Sequence, residues 1–217
     1  MPDPDTTMHT TADTLRFGTP LARARGALIL IHGRGSSPED IAGLADALDA
    51  DGFTCVAPAA ENGTWYPQRF LAPLAQNEPW LSSALKTIDD LVRETITAGV
   101  ALERIGLIGF SQGACLALEH VARAGRRYGF VAGLSGALIG PLETERPARD
   151  LNRLPILLGC AEHDAHIPRA FVDHSEAALA EMNAIVTKQL FAGAAHTVFP
   201  QEVAWINQQL AELRARA

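Results

Sequence analysis

The chain is short of basic side chains, of cysteine and of long apolar runs, and each shortage excludes something. Among 217 residues, 18 Lys+Arg stand against 25 Asp+Glu, a formal net charge of −7. A protein that tracks nucleic acid needs a basic face, so no nucleic-acid partner is expected. The cysteines are only three, Cys55, Cys115 and Cys160, each inside an apolar segment and without C-x-x-C spacing. They read as small buried residues in a reducing compartment, not as a disulfide framework. The uncharged stretch over 128–142 is too short and too rich in glycine to span a bilayer. The first seven residues carry neither a basic nor an apolar region, so no secretory signal is expected. These absences together predict a cytoplasmic protein without a membrane span. What is present is ordinary for a globular chain: 47% apolar and 20% charged residues. A chain of this length buries about 70% of its unfolded surface, enough for one core.

Apolar runs of strand length alternate with segments of helical period. The runs are 26–31, 53–57, 105–110, 130–134, 156–160 and 185–191, with an edge strand over 14–18. A continuous run such as Ala27-Leu-Ile-Leu-Ile31 fits a strand covered on both faces, as in a parallel sheet. Ser37-Pro38-Glu39-Asp40 is a helix start, with Ser37 as cap and Pro38 in the first turn. Ile41, Leu44, Ala45 and Leu48 then form one stripe. Further stripes are Leu81/Leu85/Ile88/Val92, Phe171/Ala178/Met182 and Val203/Ile206/Leu210/Leu213. The alternation predicts an α/β fold, a mostly parallel central sheet with helices on both faces. Residues 1–13 are expected as a loose segment and 14–217 as one domain. Residues 136–153 hold little helical pattern, so no large lid is expected.

The strongest local signal is Gly109-Phe110-Ser111-Gln112-Gly113, between the strand over 105–110 and a helix over 114–124. G-x-S-x-G in that context is a nucleophile elbow, which holds a serine exposed at the top of the sheet. Serine is a poor nucleophile without a base. On such a scaffold the partners follow in the order serine, acid, histidine. His196, in the loop before the last helix, is the histidine whose position suits. The acid belongs in Ala161-Glu162-His163-Asp164-Ala165-His166, where Glu162 and Asp164 both qualify. An oxyanion hole needs two donors. The Gln112 N–H is one, and the Arg34 N–H, in His32-Gly33-Arg34-Gly35, is the other. The Arg34 side chain points elsewhere or pairs with a substrate carboxylate. The grouping of His163, Asp164 and His166 lacks a third histidine at ligand spacing, so no metal is expected.

At this point the chain resembles a known family, the bacterial phospholipase/carboxylesterase group of the α/β-hydrolases, which includes acyl-protein thioesterases. The resemblance rests on His32-Gly-Arg-Gly35, Gly109-Phe-Ser-Gln-Gly-Ala114, Asp164-Ala-His-Ile-Pro168 and Gly193-Ala-Ala-His196, in order over most of the chain. Asn62-Gly-Thr-Trp65-Tyr66 is similar to the family's Trp-Tyr segment. The resemblance implies nucleophile Ser111, acid Asp164 over Glu162, base His196, oxyanion donors at Arg34 and Gln112, and no metal or organic cofactor. Two positions depart from the family. Ala195 stands where glycine often precedes the histidine, and Pro67 where aspartate usually follows Trp-Tyr. The second departure favours a small ester over a long-chain acyl-protein.

The expected reaction is cleavage of a small carboxylic ester through an acyl-enzyme on Ser111. Trp65, Tyr66, Phe70 and Leu71 are the candidate substrate wall, with Ile167 and Val198 beside them. The rivals are a thioesterase acting on acyl-proteins or lysophospholipids, a dienelactone-hydrolase-like enzyme, and an inactive binding module on the same scaffold. The second of these uses cysteine where Ser111 stands. The third would have lost a triad member. A homodimer stays open.

Overall fold

The computed structural model describes residues 8–216. Seven strands form one sheet: β1 (Leu15–Gly18), β2 (Gly26–Ile31), β3 (Phe53–Ala57), β4 (Ile105–Phe110), β5 (Phe130–Leu134), β6 (Pro155–Ala161) and β7 (Ile185–Phe191). Their order is β1-β3-β2-β4-β5-β6-β7. All neighbours are parallel except β1, which pairs antiparallel to β3 in register Leu15 to Ala57. Five helices follow in chain order: α1 (Pro38–Ala42), α2 (Trp80–Thr97), α3 (Gln112–Ala124), α4 (Arg169–Glu181) and α5 (Pro200–Ala215).

The apolar strands are two-faced. Along β2, Ile29 and Ile31 enter one core with α2, α3 and α4, while Leu28 and Leu30 enter the other with α1 and α5. Burial of both faces explains why these strands lack a polar/apolar alternation. The parallel crossovers bring the C-terminal ends of β2, β4, β6 and β7 to one edge, where site loops collect.

Two expectations are corrected. The helix predicted over 38–48 is α1 followed by a tighter 3₁₀ turn over Gly43–Ala47. Ser37 makes the capping box with Asp40, but glycine at 43 weakens the α-form just beyond it. Ile41 and Leu48 still reach the same core. Second, the segment read as loose includes His9, which is 3% exposed. Its ring bonds the Trp65 carbonyl at 2.9 Å and accepts from the Glu61 N–H at 3.1 Å. The rest of that expectation, for residues 1–7, lies outside the described residues. Residues 135–154 are irregular, as their lack of helical pattern implies, and anchored. Buried Glu119 accepts from the Ile139 N–H at 3.1 Å and from Arg146 Nη2 at 2.8 Å.

Candidate active site

The elbow dictates its own composition. Ser111 adopts φ 55° and ψ −117°, a conformation side chains rarely take. Its N–H is held by the Leu134 carbonyl at 2.9 Å. A Cβ at position 109 would fall 2.2 Å from the Gly113 carbonyl oxygen, and one at 113 would fall 2.1 Å from that of Ile31. Both glycines are therefore steric requirements of packing α3 onto β2 and β4.

Three side chains from three loops meet here. His196 Nε2 lies 2.8 Å from Ser111 Oγ, and His196 Nδ1 lies 2.7 Å from Asp164 Oδ2. The second Asp164 oxygen accepts the N–H groups of His166 at 2.7 Å and Ile167 at 3.1 Å. Burial raises the Asp164 pKa, but His196 and those two N–H groups outweigh it. Its carboxyl stays below the usual range, hence ionised. The His196 ring is flanked by Phe110 and His166, with centroids 5.1 and 4.8 Å away. Glu162, the other candidate acid, makes no hydrogen bond or ion pair with His196.

Opposite the serine, Gln112 and Arg34 each divide their labour. The Gln112 N–H opens α3, where no helical carbonyl precedes it. Its side chain accepts from the Trp65 N–H at 3.0 Å and donates to the Tyr66 carbonyl at 2.8 Å. The Arg34 guanidinium donates to the carbonyls of Tyr66, Pro67 and Gln68 at 2.8, 3.1 and 2.6 Å. That side chain is thus engaged by the 66–68 backbone at the edge of the cavity. Behind the loop, buried His32 accepts the Ala60 N–H at Nε2, 3.1 Å, so its Nδ1 donates to the Gly33 carbonyl at 2.7 Å. Burial holds the His32 pKa below its ordinary value, which suits this neutral tautomer.

The serine opens into a cavity of about 330 Å³. Tyr66, Phe70 and Ile167 line it, as expected. Trp65, Leu71 and Val198 do not. Trp65 is fully buried and donates its indole N–H to the His32 carbonyl at 2.9 Å, so it supports the His32–Gly35 loop from behind. Leu71 packs on the core shared with α2 to α4, and Val198 on the core under α1 and α5. Sequence reasoning missed Arg69, Phe110, Cys115 and His166 in the lining. Phe110 and His166 sit inside motifs already singled out, one beside Ser111 and the other two residues after Asp164. The His163/Asp164/His166 grouping does not converge. Asp164 faces His196, and His163 is exposed.

Among the described residues, no helix is long and apolar enough to cross a membrane. A profile of the phospholipase/carboxylesterase family matches residues 16–213. No curated protein matches the chain. Among solved structures, a phospholipase/carboxylesterase from Dyadobacter fermentans is 35% identical, with TM-score 0.88 over 95% of this chain and all of that one. Esterase PE8 is 23% identical, with TM-score 0.76 over 92% and 97% of the two chains. A carboxylesterase from Mesorhizobium loti is 20% identical, with TM-score 0.67 over 87% and 89%. The last two likenesses carry the fold alone. The chain belongs to the phospholipase/carboxylesterase family of α/β-hydrolases, the enzymes of carboxylic ester hydrolysis.

Proposed function

We propose that this protein hydrolyses small carboxylic esters through an acyl-enzyme on Ser111. The unbroken chain of short contacts from Ser111 through His196 to Asp164, open to the cavity, carries the reading. Ser111 Oγ attacks the ester carbonyl carbon as His196 Nε2 takes its proton. The carbonyl oxygen becomes an oxyanion facing the Arg34 and Gln112 N–H groups. Collapse breaks the bond to the alcohol, which leaves with the proton from His196. A water then gives its proton to His196 and attacks the acyl carbon. The second collapse releases the acid and returns the proton to Ser111. Asp164 keeps Nδ1 protonated and offsets the imidazolium charge.

The cavity size favours short acyl or aryl esters, and the three buried free cysteines suit a reducing cytoplasm. Ser111→Ala is the test. The variant should keep its melting temperature within a few degrees and lose nearly all ester turnover and all fluorophosphonate labelling. Unchanged turnover in the variant rejects the assignment. Absence of labelling in the folded wild type favours the binding-module rival.

A further inference from the structure

The cavity lining has the opposite charge to the protein that holds it. The chain carries −7, yet Arg34 and Arg69 line the cavity and no Asp or Glu does. The Arg34 guanidinium is fully engaged by three backbone carbonyls. That of Arg69 is not. Its one side-chain hydrogen bond among the described residues is from Nη2 to the His166 carbonyl, at 3.3 Å across the mouth. A guanidinium offers five N–H donors in a planar fork, so most of this one faces the opening unused.

The backbone beneath Arg69 is fixed on both sides. Arg34 holds the carbonyls of residues 66–68. Asn77, fully buried, accepts the Gln68 N–H at 2.8 Å and donates to the Arg69 carbonyl at 3.4 Å. The Phe70 carbonyl accepts the Gly140 N–H at 2.7 Å. His166, opposite, sits on the turn that Asp164 Oδ1 holds. A cation presented from a rigid loop loses less freedom on binding than one on a mobile loop.

We infer that Arg69 is an anion subsite of the ester site and that the substrate carries a carboxylate in its acyl or its alcohol part. The planar fork matches a carboxylate through two parallel N–H···O bonds. The lining holds no acid to compete for it. The inference rests on the serine-esterase reading and adds the substrate class.

Two matched pairs test it, each comparing a carboxylate with a carboxamide. The acyl-side pair is 4-nitrophenyl hemisuccinate and 4-nitrophenyl 3-carbamoylpropanoate. The alcohol-side pair is 4-carboxyphenyl butyrate and 4-carbamoylphenyl butyrate. The wild type should favour the carboxylate member of at least one pair in kcat/KM by about tenfold or more at low salt. That ratio should fall close to one in Arg69→Gln and survive in large part in Arg69→Lys. Should Arg69→Gln fail to fold, the wild type alone decides. Succinate must then inhibit 4-nitrophenyl butyrate hydrolysis competitively where succinamide does not. Turnover of uncharged esters with no charge preference in either pair overturns the subsite and leaves the esterase reading standing. So does a preference that persists undiminished in Arg69→Gln. Failure of the wild type to cleave any ester or to label with fluorophosphonate overturns the esterase reading itself.

Discussion

Glu202 sits in the first turn of α5, just after the loop that carries His196, and none of it reaches solvent. One oxygen accepts the Phe199 N–H at 2.6 Å and the other has no partner. That second oxygen lies against Gly159 of β6, where an added Cβ would come within 1.8 Å. Burial pushes its pKa from the ordinary 4.5 to about 7, against the Phe199 N–H, which pulls it down. The folded state therefore holds this proton more tightly than the unfolded chain. Below pH about 4.5 both states carry it and the stabilisation is complete. As pH rises to about 7 it is lost, at a cost on the order of 3 kcal/mol. Glu202→Gln, which cannot ionise, should flatten that loss, as urea unfolding at pH 6 and 8 would register. Equal pH slopes for the two proteins would place the titration elsewhere. Glu202 also shows what the sequence conceals, since its burial depends on a glycine 43 positions away, on a strand of the sheet. Asp164 and Glu162 teach the same lesson. Charge and position leave them level, and what separates them is which one can accept two N–H groups of its own turn while facing His196.

At the scale of elements, strands were legible because burial on both faces leaves an uninterrupted apolar run. Glycine-bounded turns were legible because a steric demand filters composition directly. What holds residues 135–154 in place was not, because it comes from partners distant in sequence, a buried carboxylate on α3 among them, and not from local pattern. Glu119 accepts from Arg123 Nε at 2.7 Å, from Arg146 Nη2 at 2.8 Å and from the Ile139 N–H at 3.1 Å. Arg146 returns a bond to the Ile139 carbonyl. With the Arg146 side chain 7% exposed, removing Glu119 strands a nearly buried cation. Glu119→Ala should cost about 3–5 kcal/mol by denaturant titration. A loss under about 1 kcal/mol would mean that the segment is held chiefly by its apolar contacts. The same side-chain logic accounts for the three misplaced cavity residues. Trp65 has the look of a substrate contact, but its indole N–H already had a partner inside the protein.

At the scale of the whole molecule, the described residues form one sheet, five helices and the loops that join them. Among the described residues no inserted lid covers the serine, and buried Tyr66 and Cys115 floor the cavity of about 330 Å³. Across a series of 4-nitrophenyl esters, kcat/KM should peak at short acyl chains and decline beyond the length that fills the floor. A maximum at long chains would show that the floor opens. Arg34 bears on how such an enzyme can change. Its main-chain N–H is the proposed oxyanion donor, while its guanidinium fastens the stretch that forms one wall of the cavity. Substrate range and turnover thus share a single anchor. A replacement that reshapes the wall at Tyr66 also tugs on the donor that stabilises charge, so substitutions at positions 34 and 66 should combine non-additively. New specificity is then reached more readily through the exposed Arg69 side chain, which makes no hydrogen bond to Ser111, His196 or Asp164 among the described residues.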